Sequence, residues 1–127
     1  QTAVKRFHQK WGVYVECYAA AGANHWPLRP PQHADVNVLA DPVLAELAQA
    51  KGKTAAQVAI AWAAKRGTIP LVKTTSEAHL AENMAYTTVE LSEEDMAKID
   101  ALDRNCRLFE PKVIGVDEDW GEFPYFE

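Results

Sequence analysis

The chain has 127 residues, of which 48% are hydrophobic, 24% charged and 9% aromatic, a composition typical of one globular domain. Its 13 basic and 18 acidic residues give a net charge of −5. Nucleic acid is therefore not expected as a partner, because that binding needs a basic face to neutralise phosphates. No apolar stretch approaches the roughly 20 residues that a membrane helix requires, so no membrane partner is expected either.

The two cysteines, Cys17 and Cys106, have neither the spacing of a metal site nor the density of a secreted disulfide framework. The sequence thus predicts no metal site and favours a reducing compartment, the cytoplasm. The N-terminal residues match neither a signal peptide nor a translation start, so the chain is expected to begin inside a longer protein.

The first part of the chain is predicted to contain the end of a helix over residues 2–10 and a strand over Val13–Tyr18, separated by Gly12. Alternate side chains of this strand fall on two faces, one of which carries Tyr14, Glu16 and Tyr18. A long loop without clear periodicity is predicted over residues 19–40, and long loops inside compact domains are usually functional or mobile.

Two amphipathic helices come next. The first has Asp41 as its N-cap and ends at Gly52, and the second begins with a capping box between Thr54 and Gln57 and ends at Gly67. Their apolar stripes predict a core, which includes Leu44, Leu47 and Trp62.

A second strand is predicted over Ile69–Val72, followed by a helix that Ser76 caps and that runs through Asn83. Residues 91–102 carry the start signals of a last helix, with a cap, an acidic first turn and a hydrophobic staple from Leu91 to Met96. Strands that alternate with amphipathic helices indicate an α/β protein with parallel strands. Two strands cannot close a sheet, so further strands are expected from elsewhere.

The turn after the second strand has the character of an anion site. Lys73, Thr74 and Ser76 lie where a strand runs directly into a helix N-terminus, whose unpaired N–H groups attract negative charge. Many turns of this kind hold no ligand, however, and the spacing alone is a weak signal.

Several motifs in register give the sequence a family resemblance. The run GVYVECYAAAG at Gly12–Gly22 is similar to the seventh-strand motif of aldo-keto reductases, and KTTSEAHLAEN at Lys73–Asn83 is similar to their eighth-strand cofactor motif. The helix starts at residues 41–42, 53–58 and 91–96 match the family in order and spacing. The tail matches at residues 103–107 and 124–126.

The resemblance implies that residues 1–127 are the C-terminal part of a (β/α)8 TIM barrel, with strands seven and eight, an added C-terminal helix and a substrate loop at 103–127. It implies an NAD(P)H-dependent oxidoreductase that reduces aldehydes or ketones, in which this portion binds the cofactor and shapes the substrate pocket. By the same resemblance, Tyr18 stacks on the nicotinamide. The other implied cofactor residues are Ala19, Ala21 and Ala23 at the pyrophosphate, Lys73, Thr74, Thr75 and His79 at the 2′-phosphate, and Glu82 and Asn83 at the adenine.

Three departures from the family pattern bear on function. Ala19 and Ala20 replace the usual Ser and Pro, so hydroxyl contacts to the cofactor are lost. His79 replaces a common arginine, which weakens the preference for NADP over NAD because an imidazole is a poorer phosphate clamp than a guanidinium. The family's catalytic Asp, Tyr, Lys and His lie in its first half, so no catalytic residue is assigned to this chain.

Simpler interpretations stay open beside these roles. Tyr18 also fits ordinary barrel packing, Lys73 a solvated charge and His79 a surface residue. Glu16 is expected to be a barrel-lining carboxylate bonded to neighbouring strands rather than a general base. At the level of function, the alternative is a non-catalytic half-barrel that binds nucleotide or a partner subunit, with the missing strands supplied by a longer chain or a second copy.

Overall fold

The computed structural model describes residues 2–22, 33–104 and 106. Within these residues it contains five α-helices and two short strands. In chain order they are α1 (Thr2–Trp11), β1 (Glu16–Tyr18), α2 (Pro42–Lys51), α3 (Ala55–Lys65), β2 (Ile69–Leu71), α4 (Glu77–Met84) and α5 (Glu93–Asp100). Single 3-10 turns lie at Val38–Ala40 and Ala85–Thr88. The substrate-loop prediction for residues 103–127 lies almost wholly outside the described residues.

The two strands pair in parallel, as predicted, with Glu16 opposite Ile69 and Tyr18 opposite Leu71. Both are shorter than the sequence predicts, because only three residues on each side face a partner strand. In the described part of the chain the sheet is open and two-stranded. The described part of the chain is therefore an α/β structure, but closure of a barrel would require strands beyond these two.

The predicted helix starts are confirmed in atomic detail. Asp41 Oδ1 accepts a hydrogen bond from the Val43 amide at 2.9 Å, which caps α2, and Gly52 ends this helix with φ of +62°. The capping box of α3 is complete, because Thr54 Oγ1 accepts from the Gln57 amide at 3.2 Å and Gln57 Oε1 accepts from the Thr54 amide at 3.0 Å. Each of these bonds satisfies an N–H that the first turn of a helix leaves without a helical partner.

The core lies between α2, α3 and α5 and confirms the predicted stripes of Leu44 and Leu47. The staple is also present, since Leu91 and Met96 are both buried in the same cluster. Trp62 differs from the prediction, because it is only half-buried at the edge of this core. A buried indole N–H requires an acceptor. The N–H of Trp62 donates to Asp100 Oδ1 at 2.8 Å, and this bond holds the ring near the surface.

The sheet has one open face, and Glu16 lies on it. The strand residues Glu16, Tyr18, Ile69 and Leu71 are exposed, whereas their alternates Cys17 and Pro70 are half-buried. The predicted bonds of Glu16 to neighbouring strands concern barrel strands beyond these two. One face of the sheet is thus covered by helices and the other is open to water.

The helix α5 supplies a prediction on acid stability. Asp95 accepts a hydrogen bond from the Ser92 amide at 2.8 Å and forms an ion pair with Lys51 Nζ at 2.7 Å, and these contacts lower the pKa of its carboxyl to about 2. A lowered pKa gives stability that is present above the unfolded-state pKa of about 4 and is lost as pH falls towards 2. We expect Asp95→Asn to destabilise the fold by about 0.5–1 kcal/mol at pH 6, a range typical of surface pairs.

Urea unfolding of both proteins between pH 6 and pH 2 measures this difference, which should shrink as the pH falls. Asparagine can still accept from the Ser92 amide, so the substitution mainly removes the ion pair. The Lys51→Met variant, alone and combined with Asp95→Asn, isolates the pair from other effects. A stability difference that stays constant down to pH 2 would contradict the prediction.

Candidate functional site

The site predicted from the sequence lies at one edge of the sheet. Because β1 and β2 run parallel, the turn after Tyr18 and the turn after Leu71 leave the sheet at the same edge. In parallel α/β proteins ligands bind at the carboxyl ends of the strands. The structure therefore places the two predicted halves of the cofactor site, Tyr18–Gly22 and Lys73–Asn83, on neighbouring strand ends.

The turn after β1 has an unusual backbone. Ala19 adopts φ of +56°, a left-handed conformation that costs a residue with a side chain about 1–2 kcal/mol. The Ala19 carbonyl accepts from the Gly22 amide at 2.8 Å, which closes a tight turn around Ala20 and Ala21. Such strain persists only where surrounding structure enforces it, and it is common at binding sites. Ala23, also predicted to bind cofactor, lies outside the described residues.

The turn after β2 is held by its own hydroxyl groups. Thr74 Oγ1 accepts from the Ser76 amide at 3.1 Å, and Ser76 Oγ accepts from the His79 amide at 3.3 Å, which caps α4. Both hydroxyl oxygens thus organise the turn as acceptors, and the contact to an anion that the sequence predicts would use these hydroxyls as donors. Lys73 and Thr75 are exposed on either side of Thr74.

The remaining predicted residues share one face of α4. His79, Glu82 and Asn83 are spaced three and four apart, which places them side by side on the helix and next to its N-terminal turn. His79 is exposed, whereas Glu82 and Asn83 are half-buried. Lys73 and the turn thus lead directly into the helix that carries these three residues.

Glu82 also anchors α4 to α3, a contact that sequence reasoning missed. Its Oε1 accepts from the Thr54 hydroxyl at 2.6 Å, and its backbone carbonyl accepts from Gln57 Nε2 at 3.0 Å. The capping box of α3 therefore has a second use, because the same two side chains fix the position of α4. The capping box shows in the sequence that Thr54 and Gln57 have hydrogen-bonding roles, but no local pattern links Thr54 to Glu82, 28 positions away.

A cavity beside the first half of the predicted site does not extend to the second half. It has a volume of about 520 Å³ and contacts Tyr18, Ala19 and Gly22, but none of the predicted residues from Lys73 to Asn83. It lies on the helix-covered side of β1, against Val15 and Cys17, rather than on the open face. The predicted cofactor residues thus form two neighbouring groups rather than one enclosed pocket.

The described residues contain no cluster of three or more side chains suited to holding a metal ion. Burial is the main influence that raises the pKa of the Cys17 thiol, against the opposing effects of a hydrogen bond with Thr68 and the charge of Arg66. A thiol with a raised pKa is a poor nucleophile. None of the described helices is both long and apolar enough to cross a membrane.

Comparison with known proteins connects this geometry to a family. The sequence model of the aldo/keto reductase family matches residues 10–104. An aldo/keto reductase of Synechocystis sp. is 33% identical over 107 residues, which cover 84% of this chain and 33% of that protein. Prostaglandin F synthase 1 of Bos taurus is 33% identical over 128 residues, covering 100% of this chain and 38% of that protein.

A third relative, an NAD(P)H-dependent D-xylose reductase of Hypocrea jecorina, is 35% identical over 105 residues, covering 81% of this chain and 32% of that protein. The chain therefore spans about a third of the length of the curated relatives it matches. The match includes both strand ends described above, since residues 10–104 contain β1, β2 and the helices between and after them.

Proposed function

This chain belongs to the aldo/keto reductase family, and we propose that it forms the C-terminal part of a (β/α)8 reductase barrel. In this proposal it contributes strands seven and eight, a cofactor half-site, and a substrate loop at residues 103–127. The observation that carries the proposal is the parallel pairing of β1 and β2, which brings two family motifs to one edge of the sheet. The coverage of about a third of each relative supports it as well.

The proposed reaction is the reduction of an aldehyde or ketone to an alcohol by hydride transfer from NADP in its reduced form, or alternatively from NAD. The cofactor supplies the hydride, and the protein orients it and excludes competing reactions. The residues of this chain bind and position, and we assign none of them a catalytic role. We propose the cytoplasm as the compartment and a small carbonyl compound as the substrate.

We propose that the exposed ring of Tyr18 stacks on the nicotinamide at the open edge of the sheet. The backbone of the turn that contains Ala19 and Ala21 then approaches the pyrophosphate, and the small side chains permit that approach. The sequence assigns Ala23 to the same contact. Because the hydroxyl contacts of the family's serine are missing, binding here depends on backbone N–H donors.

The second half of the site is proposed to hold the adenosine portion. Lys73, Thr75 and His79 are exposed beside the N-terminus of α4, where cationic and N–H groups favour a phosphate. Thr74 shapes the turn that presents Lys73, through its bond to the Ser76 amide. Glu82 and Asn83 follow on the same helix face and would contact the adenine.

A second candidate function is a half-barrel that binds nucleotide or a partner subunit without turnover. The observation that favours it is the open face of the two-stranded sheet, which presents apolar and aromatic side chains to water. Such a face needs a partner, and either the rest of a longer chain or a second copy would provide one.

Substitution of Lys73 tests the cofactor assignment. In the complete reductase barrel, Lys73→Ala should weaken NADPH binding more than NADH binding, because only NADPH carries the 2′-phosphate. The expected loss is on the order of 1.5–3 kcal/mol for a charge-assisted contact. Calorimetric titration with each cofactor measures it, with Lys98→Ala on α5 as the matched control that removes an exposed lysine elsewhere.

The reverse substitution forms the second arm of the same experiment. His79→Arg places a guanidinium at the exposed start of α4, where bidentate contact to a phosphate is geometrically favoured. It should shift the preference towards NADPH. Equal losses for both cofactors in Lys73→Ala, together with no gain in His79→Arg, would remove this surface from the 2′-phosphate site.

A further inference from the structure

The carboxylate of Glu82, which the proposed function places beside the adenine, is held by the start of another helix. Thr54, the N-cap of α3, donates its hydroxyl hydrogen to Glu82 Oε1 at 2.6 Å, a length typical of a hydroxyl bonded to a carboxylate. Gln57 of the same helix donates from Nε2 to the Glu82 backbone carbonyl at 3.0 Å. The side chain and the main chain of Glu82 are therefore both attached to α3.

The capping box of α3 fixes the direction of both donors. A hydroxyl has one hydrogen and accepts through its lone pairs. Thr54 Oγ1 accepts from the Gln57 amide at 3.2 Å, so its hydrogen is left for an acceptor outside α3. Gln57, which is 8% exposed, accepts from the Thr54 amide through Oε1 at 3.0 Å, and this bond directs Nε2 towards Glu82. The two bonds to Glu82 thus come from side chains that are themselves held in place.

This arrangement leaves one oxygen of the carboxylate for a ligand. In the part of the chain that the structure describes, Oε1 of Glu82 bonds Thr54, and no side chain or amide donates to Oε2. Glu82 is half-buried on the helix that also carries His79 and Asn83. A carboxylate oxygen only accepts, so Oε2 favours a ligand group that carries a hydrogen-bond donor.

The donor and acceptor groups of a purine base respond differently to a carboxylate in a fixed position. In an adenine joined to ribose, the exocyclic amine is the N–H donor of the base. Hypoxanthine has a carbonyl oxygen in place of that amine and carries its N–H on the neighbouring ring nitrogen. A fixed carboxylate that faces the amine of adenine therefore meets an acceptor in hypoxanthine, whereas a mobile carboxylate can turn to the ring N–H.

We propose that Thr54, supported by Gln57, is a positioning residue, which holds the Glu82 carboxylate so that the site selects a base with an exocyclic amine. This role rests on the proposed function, because it presupposes that Glu82 contacts the adenine. A glutamate without such support samples several rotamers, and ordering it on binding lowers the affinity. Since the capping box orders Glu82 during folding, the base meets an acceptor that is already in place.

Two cofactors that differ only in the base test this role in the complete reductase barrel. NADPH carries adenine, and its deamino analogue carries hypoxanthine. Calorimetric titration should show that the unmodified protein binds NADPH about tenfold more tightly, a ratio typical of one hydrogen bond to a charged group. Thr54→Val removes the donor to Glu82. It should lower this ratio by about threefold or more, because binding of adenine must then order the glutamate side chain.

Three further variants separate positioning from the stability of α3. Thr54→Ser keeps the hydroxyl and should restore the ratio. Thr54→Asp keeps an acceptor for the Gln57 amide but has no donor for Glu82, so it should retain the cap and lose the preference even if Thr54→Val unfolds. Ser92→Ala removes a comparable cap from α5, where the hydroxyl bonds the Asp95 amide, and should leave the ratio unchanged.

Glu82→Ala shows whether the proposed function or the positioning role has failed. It should remove most of the preference for NADPH over the deamino analogue. An unmodified protein without this preference, or an unchanged ratio in Glu82→Ala, would overturn the adenine assignment and the positioning role with it. A ratio that falls in Glu82→Ala but stays unchanged in Thr54→Val and Thr54→Asp would overturn the positioning role alone. An equal fall in Ser92→Ala would overturn it too, because general loss of helix stability would then explain the effect.

Discussion

The 127-residue chain alone is expected to show no aldehyde-dependent oxidation of NADPH. Reduction of a carbonyl requires a proton donor of suitable pKa beside the carbonyl oxygen, together with fixed groups that stabilise the developing charge. The family resemblance places those groups in the part of the barrel that precedes strand seven. Tyr14 and Tyr18 carry phenol groups on the β1 side of the proposed site, but both are exposed to water, at 83% and 63%.

The rate at which NADPH absorbance falls in the presence of small aldehydes measures the aldehyde-dependent oxidation of NADPH directly. A complete reductase of the same family provides the positive control, and the chain mixed with that reductase shows whether the preparation contains an inhibitor. A rate that rises in proportion to chain concentration and remains constant through successive purification steps would contradict the prediction. The exposed tyrosines would then be the first candidates for the proton donor, and their phenylalanine variants would identify which one acts.

The helix starts are the part of the fold that the sequence predicts best, for a physical reason. The sequence predicts caps at Asp41, Thr54 and Ser76 and a further cap at the start of residues 91–102, where Ser92 takes that role. Each bonds an amide only two or three residues away. Such a bond depends on local sequence alone, so it can be read without knowledge of the fold. The strand pairing was predictable in type for a related reason, because helices between strands favour parallel order.

Contacts between distant residues could not be predicted in the same way. The bonds from Thr54 to Glu82 and from Trp62 to Asp100 join residues 28 and 38 positions apart, and their partners are fixed by how helices pack. The left-handed Ala19 is a second example, since an alanine gives no sequence signal for a positive φ. His8 is a third, because its burial depends on elements that follow it in the chain.

The candidate site was also predictable only in part, because motifs identify residues but not the contacts between distant ones. The resemblance supplied the residue types of the two strand ends, and the structure adds that Thr74 and Ser76 organise their own turn while Lys73 remains exposed. It also adds that the cavity beside Tyr18 does not extend to α4. Residue identity could be read from motifs, whereas the course of each turn after its strand depends on contacts that form only in the folded chain.

The pure chain is expected to sediment as a dimer or larger assembly rather than as a 14.1 kDa monomer. In the described part of the chain, β1 and β2 each pair with one strand only, so each leaves one edge without a neighbouring strand. Large side chains on the same open side are exposed, with Tyr14 at 83%, Ile69 at 46% and Leu71 at 39%. Unpaired strand edges beside exposed apolar surface favour association, because pairing satisfies backbone groups and removes apolar area from water.

Sedimentation velocity over a range of concentrations measures the mass, and charge substitutions locate the interface. Leu71→Lys on the open sheet face should shift the population towards monomer, because an association that buries this side chain would also bury its charge. Met84→Lys is the matched control, since Met84 is 61% exposed on α4 and away from the strands. A concentration-independent monomer with cooperative unfolding would contradict the prediction, because it would require the open face and both edges to be covered within a single chain.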